Sequence, residues 1–174
     1  MSDIVLEVIA VDLEDAKRAA DGGADRLEVC AGMDRDGTTP GIDTVQGICN
    51  AGLPLAVMAM VRPRGGDFVY TGDELDTMVA SIRDLVSAGV DGVVVGCLTA
   101  DGVVNKRALV RLTRAAAGAS VTFHRALDCA ADRNVALDAL GHASVDRVLT
   151  LGYPVGAPRQ ATDVDAIRAS ANHA

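Results

Sequence analysis

One boundary motif recurs along the chain and limits the folds that the chain can adopt. Three segments share one pattern, in which Gly or Ser is followed by Ala or Val, then by Asp, and then by a mostly apolar run. They are "GGADRLEV", "AGVDGVVV" and "ASVDRVLT", which begin at residues 22, 88 and 143. The residues before each motif have helical spacing, and those after it form a strand-like run. The recurrence indicates that a single helix-to-strand unit is used repeatedly.

Six short apolar runs alternate with helix-like stretches along the sequence. The stretches "LEDAKRAADGGA", "DELDTMVASIRDLVSAG" and "NKRALVRLTRAAAG" carry apolar residues at spacings of three and four and reach a glycine suited to a helix C-cap. Alternating strands and helices indicate a parallel sheet with right-handed crossovers. The predicted strands are 4–10, 26–30, 55–61, 92–96, 120–124 and 146–150.

Two α/β layouts fit this order, a doubly wound open sheet and a (β/α) barrel. The repeated unit favours the barrel, and so do polar residues in or at the ends of strands, because barrel sites collect residues from several strand ends. These residues are Glu7, Glu28, Arg62 and His124. A closed barrel of eight units typically takes about 250 residues, whereas this chain has 174. We therefore predict a TIM-type (β/α) barrel of about six units, one domain over residues 1–174 that lacks the last two strands.

The charge and the cysteine content argue against several classes of function. A formal net charge of -8 is unfavourable for a nucleic-acid groove, which needs a basic stripe to offset phosphate repulsion. No apolar run approaches the ~20 residues that cross a bilayer. The four cysteines lie far apart without a C-x-x-C pair, which is typical of reduced thiols in a cytoplasm rather than of a disulfide framework.

Glu7 and Glu28 each lie in an otherwise apolar strand. Burying a carboxylate is unfavourable unless it has a cation, a metal or a proton, so each of the two needs a partner. One interpretation is a structural ion pair with an arginine at the barrel mouth. The other is a site for acid–base chemistry or metal binding.

The segment "VRPRGGDF" (61–68) combines two arginines with a flexible turn. Arg62 and Arg64 flank a proline, and Gly65 and Gly66 can take conformations that aim backbone N–H groups at one point. Because a guanidinium offers a fixed fork of donors, this pattern predicts a site for a carboxylate or phosphate anion. The alternative is a loop whose arginines neutralise the two glutamates.

The segment "VTFHRALD" ends a strand with an imidazole, a guanidinium and a carboxylate. Alternation puts Thr122 and His124 on one face of the strand, with His124 at its carboxyl end. Asp128 lies close enough to orient the imidazole or to cap the next helix, whose own start is nearer Asp132. A histidine in this position predicts an acid–base group or a metal ligand, with a structural histidine as the alternative.

Sulfur atoms are also placed on the predicted inner strands. Cys30 lies two residues after Glu28, hence on the same face, and Met58 and Met60 share a face with Arg62. Soft sulfur ligands on neighbouring strands could hold Cu(I). Buried Cys and Met are also ordinary core residues, so a packing role is the alternative.

Four segments, "GADRLEVCAG", "GTTPG", "VRPRGGDFVYTGDE" and "VTFHRALD", resemble in order and spacing segments of the CutC copper-homeostasis family, and the resemblance covers nearly the whole chain. It implies a TIM-type barrel, a cytoplasmic location, a role in copper homeostasis and assembly into dimers or higher oligomers. It maps the polar mouth of the family onto Glu7, Glu28, Arg62, Arg64, Asp67, His124, Arg125 and Asp128.

Two features of the chain depart from the family pattern. Members of the family often carry cysteines just after the glutamate of the first strand, where this chain has Val8, Ile9 and Ala10. Of the sulfur ligands proposed for the family, only Cys30 remains in this chain. Members also continue past the sixth strand through a seventh and an eighth. An open barrel leaves a parallel edge that a second copy of the chain can cover, and we expect a homodimer or a higher homo-oligomer.

Three functions follow from these residues and from the resemblance. The first is copper handling, with Cu(I) bound by Cys30 and assisted by Met58 or His124. The second is a barrel enzyme that acts on a small anionic substrate, and the third is a non-catalytic barrel that keeps the motifs as structure. For the enzyme, the candidate catalytic residues are Glu7, Glu28, His124 and Asp128, and the candidate anion-binding residues are Arg62, Arg64, Gly65, Gly66 and Arg125.

Overall fold

The computed structural model describes residues 4–152, which form a half-barrel of six parallel strands hydrogen-bonded in sequence order. This arrangement confirms the predicted (β/α) barrel type, with six strands and five intervening helices in the described residues. The prediction that the chain lacks the last two strands falls on residues 153–174, which lie outside the described residues. The strands are β1 (Glu7–Ala10), β2 (Arg26–Val29), β3 (Ala56–Met60), β4 (Gly92–Val95), β5 (Ser120–Phe123) and β6 (Arg147–Val148).

A helix follows each of the first five strands, and short polar side chains determine where several of these helices begin. At three helix starts, a side chain accepts backbone N–H groups of the first helical turn; these residues are Asp12, Asn105 and Asp132. At a fourth helix start, Thr71 forms a capping box with Glu74. Within residues 4–152, no helix has the length and apolar character needed to span a membrane. The helices are α1 (Leu13–Asp21), α2 (Ile42–Asn50), α3 (Gly72–Ser87), α4 (Lys106–Ala115) and α5 (Arg133–Gly141), with 3-10 helices at Met33–Arg35 and Arg125–Cys129.

Alternation along the strands separates two faces of the sheet. The outer face packs against the helices and belongs to the main hydrophobic core. Its strand residues include Leu27, Val57, Val93, Val121 and Phe123. The inner face carries a smaller buried cluster, which consists of Cys30, Met58, Met60 and Val94. The sulfur atoms of these strands therefore lie together on the inner face.

An aspartate just before every second strand joins that strand to the preceding one. Each of these aspartates donates its backbone N–H to a carbonyl near the start of the preceding strand, and its carboxylate accepts the N–H of that same residue at 2.7 Å. The pairs are Asp25 with Leu6, Asp91 with Val57, and Asp146 with Val121. These are the aspartates of the recurring motif, so the repetition in the sequence corresponds to one repeated junction between strands.

The β1 edge exposes apolar surface. Among residues 4–152, β1 pairs with β2 alone. An unpaired strand edge next to exposed apolar side chains is a surface suited to association. The exposed side chains on and around β1 are Ile4, Val5, Leu6, Ile9 and Val11.

We expect Asp91→Ala to lower the free energy of unfolding by about 1–3 kcal/mol, because it leaves the N–H of buried Val57 without its acceptor. Asp91→Asn keeps an acceptor oxygen and should have a smaller effect. Chemical denaturation followed by circular dichroism measures the difference. The control is Asp84→Ala, an exposed position on α3, which should change the unfolding free energy by less than about 0.5 kcal/mol. Equal losses in both alanine variants would contradict a special role for the junction.

Candidate functional site

A cavity of about 290 Å³ opens at the carboxyl ends of the strands. This is the usual place of sites in (β/α) barrels, because side chains from several strand ends converge there. Four residues that the sequence singled out, Glu28, Cys30, Arg62 and His124, line it together. The exposed Ile9 on β1 and Leu149, just after β6, add apolar surface from the two edges of the sheet.

Glu28 is a buried carboxyl group on the cavity wall, with 5% of its surface exposed. Its one side-chain partner among the described residues is the Cys30 thiol, which donates to Oε1 at 3.7 Å. Burial, together with the negative charge of Glu7, raises the pKa of Glu28 to about 7. A carboxyl group with this pKa can both take up and release a proton near neutral pH.

Glu7 lies outside the cavity lining and forms an ion pair with Arg26. The two residues are directly opposite each other in the register of β1 and β2. The geometry of Glu7 is thus that of a structural ion pair, although its arginine comes from the neighbouring strand and not from the barrel mouth. Its influence on the site is electrostatic, through the pKa of Glu28.

His124 follows β5 and is 3% exposed. Its Nδ1 accepts the backbone N–H of Ala126 at 3.1 Å, which assigns the ring proton to Nε2. Burial, followed by the charge of Arg62, lowers the pKa of His124 to about 3, so the ring is neutral near pH 7. Nε2 is buried and has no hydrogen-bond partner within residues 4–152. His124 therefore lines the cavity as a residue and holds an unpaired, buried Nε2–H.

Two neighbours define the position of the His124 ring. The Phe68 ring lies beside it, with the ring centroids 4.9 Å apart. Gly96, just after β4, leaves the space that the imidazole occupies, because a Cβ added there would lie 2.2 Å from Cε1. Any larger residue at position 96 would thus displace the histidine. Neither neighbour was identified from the sequence, since their contact with His124 arises only from the packing of β4 and the loop after β3.

Asp128 is held by hydrogen bonds that do not involve the His124 ring. Its side chain is fully buried, and its carboxylate accepts a hydrogen bond from Arg133 at 2.8 Å and from the backbone N–H of Leu151 at 2.9 Å. The hydroxyl of Thr150 donates to the same carboxylate. Asp128 therefore connects the residues after β6 to the 3-10 helix, while the backbone of Ala126, rather than Asp128, holds the imidazole of His124.

Arg62 connects the loop after β2 with the loop after β3. Its backbone N–H and its guanidinium are both engaged, and most of the guanidinium hydrogen bonds go to backbone carbonyls. Nη1 and Nη2 donate at 2.8–3.1 Å to the carbonyls of Arg35, Asp36, Gly37 and Gly66. Nε is buried without a partner among the described residues. Most of the hydrogen-bond donors of Arg62 therefore hold the two loops that form the rim of the cavity.

Arg64 and Gly65 do not line the cavity. The Arg64 guanidinium pairs with Glu74 at the start of α3 and with Asp67 in its own loop. These partners raise the pKa of Arg64 and use its donors within the loop. The geometry of Arg64 is therefore that of a loop-stabilising residue.

Arg125 and Gly66 do line the cavity. The Arg125 side chain is 44% exposed, and its ion-pair partner Asp128 lies at 3.8 Å. This separation is longer than a good charge-assisted hydrogen bond, so the guanidinium remains available to another anion. Among the five residues predicted to bind an anion, Arg125 has the geometry that fits this role best, and anion binding stays a prediction.

Two sulfur side chains of the inner face meet near Gly37. A Cβ added at Gly37 would lie 3.6 Å from Cys30 Sγ and 3.8 Å from Met60 Cε. Met58 instead lies 3.4 Å from the guanidinium of Arg147, a cation that is unfavourable for a second cation. Within residues 4–152, no group of three or more His, Cys, Asp or Glu side chains is arranged to hold a metal ion. Cys30 and Met60 thus belong to one buried cluster, in which Cys30 Sγ and the methyl group of Met60 approach Gly37.

Cys129 also lines the cavity, although the sequence analysis assigned it no role. It belongs to the 3-10 helix that follows His124 and is exposed. Its position six residues after the end of β5 was the available signal, but the turn geometry that brings it back to the mouth is not encoded in a recognisable pattern. Phe68 on the cavity wall was missed for the same reason.

Several known proteins resemble this chain over most of its length. A profile of the CutC family matches residues 4–173. The human copper homeostasis protein cutC homolog is 40% identical over 148 residues, which are 85% of this chain and 54% of that protein. The family protein CutC of Mesorhizobium japonicum is 42% identical over 149 residues, 85% of this chain and 57% of that protein. The chain thus spans little more than half of the length of these two relatives.

A solved structure has the same fold. The crystal structure of CutC from Streptococcus agalactiae matches this chain with a TM-score of 0.90 and 28% sequence identity. The match covers 98% of this chain and 83% of that chain. The half-barrel and its strand order are therefore shared with a CutC protein of known structure.

Proposed function

This chain belongs to the CutC family, and on that premise we propose that it serves copper homeostasis in the cytoplasm by binding Cu(I) as its cargo. The observation that carries the proposal is the buried cluster of the inner face, in which the Cys30 thiol lies with the Met60 side chain beside Gly37. Thiolate and thioether sulfur are the ligands that select Cu(I). The four cysteines are all free thiols, which suits a reducing compartment.

The electrostatic surroundings of this sulfur pair favour a cation. Burial and the neighbouring Glu28 carboxyl hold the pKa of the Cys30 thiol well above its ordinary range, so the thiol keeps its proton in the absence of metal. A Cu(I) ion has to displace that proton. The carboxyl groups of Glu28 and Glu7, which make the thiolate unfavourable, stabilise a bound positive charge once it is present.

We expect the reduced protein to bind one Cu(I) per chain in an anaerobic titration against a chromophoric chelator. Cys30→Ser should weaken the affinity by at least about tenfold, and Met60→Leu by less, because a thiolate is the stronger ligand. Since the thiol loses its proton on binding, the affinity should rise about tenfold per pH unit between about pH 6 and pH 8.

The matched control is Cys49→Ser, because Cys49 lies on α2 and does not line the cavity. This variant should keep the affinity of the unaltered protein. One Cu(I) per two chains would place the ion between subunits. Weak binding that is indifferent to both cysteine substitutions and to pH would contradict the copper site.

We further propose that two copies of the chain associate through the β1 edge. The edge is unpaired among the described residues, and apolar side chains surround it. Ile4 is 96% exposed, so residues 4–152 offer this large side chain almost no packing contact. Pairing with a second copy would remove both the apolar surface and the free backbone groups from water.

Size-exclusion chromatography with light scattering should give a mass of at least two chains. Ile4→Lys should shift the population towards the monomer without disturbing the fold, because position 4 is almost fully exposed. Val110→Lys on α4 is the control for a charge added at another exposed apolar position. A single-chain mass at every concentration up to about 100 µM would contradict the association.

A second candidate function is an enzyme that acts on a small anionic substrate. It is favoured by His124, which lines the cavity and whose buried Nε2–H has no partner within residues 4–152. Glu28 on β2 lines the same cavity, with β3 and β4 between its strand and that of His124, so a carboxyl group and a neutral imidazole face one ligand from different walls. Such a pair supports acid–base chemistry, and Arg125 supplies a positive charge at the mouth.

Pyruvate, a small carboxylate, is a suitable probe for this second function. Isothermal titration calorimetry on the intact protein should show binding, and Arg125→Gln should weaken it by about tenfold, because the guanidinium carries the charge that faces the anion. Arg111→Gln, which changes an exposed arginine on α4, should leave the affinity unchanged. Equal affinities in the two variants would exclude Arg125 as the anion anchor.

A further inference from the structure

We infer that Arg26 and Arg147 form a binding site for a small oxyanion, such as phosphate, near the amino ends of the strands. The site lies on the inner face of the half-barrel, at the end opposite to the mouth of the cavity. Neither arginine has a part in the two proposed functions, so the site is independent of both.

Both arginines belong to the inner face because of their places on the strands. Arg26 begins β2, two residues before Glu28, and Arg147 begins β6, two residues before Leu149. Residues two apart in an extended chain share a face, and both Glu28 and Leu149 line the cavity. The two arginine side chains therefore start one layer below the cavity, on strands that lie near opposite edges of the sheet.

The side chain of Arg147 crosses the inner face towards the strands on the other side. Its Nη2 donates to Ser120 Oγ on β5 at 2.8 Å and lies 3.4 Å from Met58 Sδ on β3, the strand that pairs with the strand of Arg26. Gly92 on β4 leaves the room that Met58 occupies, because a Cβ added there would lie 2.3 Å from Met58 Cε. The guanidinium of Arg147 is thus brought across the sheet towards Arg26.

The positive charge of Arg147 is only partly balanced. Within residues 4–152 no carboxylate forms an ion pair with it, and its hydrogen bonds go to hydroxyl and sulfur atoms, including one from Nε to Thr122 Oγ1 at 3.3 Å. Burial, followed by the positive charge of Arg26, lowers the pKa of Arg147, and the opposing effects of Asp146 and Glu7 are smaller. A bound anion would therefore stabilise this guanidinium.

Both guanidinium groups have terminal nitrogens available for a ligand. Arg26 donates to Glu7 through Nε, and among the described residues neither of its Nη atoms has a hydrogen-bond partner. Nη1 of Arg147 has no partner in residues 4–152 either. The Arg26 side chain is 20% exposed and Arg147 is half-buried, so a small ion can reach both. Guanidinium N–H groups match the oxygen atoms of phosphate, and two such groups can hold one oxyanion from different sides.

An oxyanion held by both arginines would connect the two ends of the sheet. The described sheet runs from β1 to β6 without a pairing between these two strands, so an ion that links β2 to β6 across the inner face adds a contact that the strands do not provide. Because the ion binds the folded chain only, it should stabilise that state. The formal net charge of -8 disfavours general attraction of anions, so phosphate affinity would come from a local site.

Thermal unfolding of the intact protein in phosphate, compared with chloride at equal ionic strength, tests the inference. We expect about 20 mM phosphate to raise Tm by at least about 3 °C relative to chloride. Arg147→Gln should abolish this rise, and Arg147→Lys, which keeps the charge and loses the fork, should reduce it at least about threefold. In isothermal titration calorimetry, Arg147→Gln should weaken phosphate binding at least about tenfold.

A matched control and a direct probe separate the outcomes. Arg107→Gln removes an exposed positive charge on α4 and should keep the full rise in Tm. In the unaltered protein, the Nε–H signal of Arg147 in nitrogen-15 NMR, assigned by its loss in Arg147→Lys, should move as phosphate is added. This readout does not depend on the stability of the variants.

Three results would overturn the inference. The first is an equal Tm in phosphate and chloride. The second is an Arg147 signal that does not move on addition of phosphate. The third is a rise in Tm that Arg147→Gln keeps and Arg125→Gln loses, because phosphate would then bind at the mouth of the cavity.

Discussion

A pair of hydrogen bonds at the start of alternate strands supports the whole arrangement of this half-barrel. In each pair, the backbone and the carboxylate of one aspartate engage a single residue of the preceding strand, as Asp91 engages Val57. The strands are short, between two and five residues, so few ladder hydrogen bonds are available to define their register. A shift by one residue would exchange the inner and outer faces and remove the site. The aspartates act at the end of the sheet opposite to the cavity, and the cavity depends on them.

Burial then determines the chemical state of the residues that this register brings together. Glu28 and His124 both lie out of water, which raises the pKa of the carboxyl group and lowers that of the imidazole. Both groups are thus displaced towards their neutral forms, although one is an acid and the other a base. Arg62 is the most buried arginine near them, and its Nη1 and Nη2 groups donate hydrogen bonds to loop carbonyls. The positive charge that remains accessible at the mouth is that of Arg125.

The two proposed functions share one contact, the hydrogen bond from the Cys30 thiol to Glu28. A metal ion on the sulfur replaces the thiol proton, so Glu28 would lose its donor and face a bound cation instead. A substrate that uses Glu28 as a base needs the same carboxyl group free of that cation. Copper binding and proton transfer would therefore exclude each other in one cavity, because both depend on the charge at this pair.

The sequence by itself determined the order and type of the elements, because the helical and strand periods alternate clearly and the repeated aspartate motif marks each second strand. It also predicted six of the residues that meet in the cavity, since parallel strands bring their carboxyl ends to one rim. These residues are Glu28, Cys30, Arg62, Gly66, His124 and Arg125.

Only the tertiary structure decided what these residues do. In the folded chain Glu7 forms an ion pair with Arg26, Asp128 accepts a hydrogen bond from the backbone after β6, and Arg64 pairs with Glu74 of α3. Each of these contacts joins segments whose separation in sequence does not indicate their distance in space. The tertiary structure also placed Phe68 and Gly96 around the imidazole. Position along a strand is a local property that periodicity records, whereas the choice of partner and the degree of burial depend on the packing of the whole sheet.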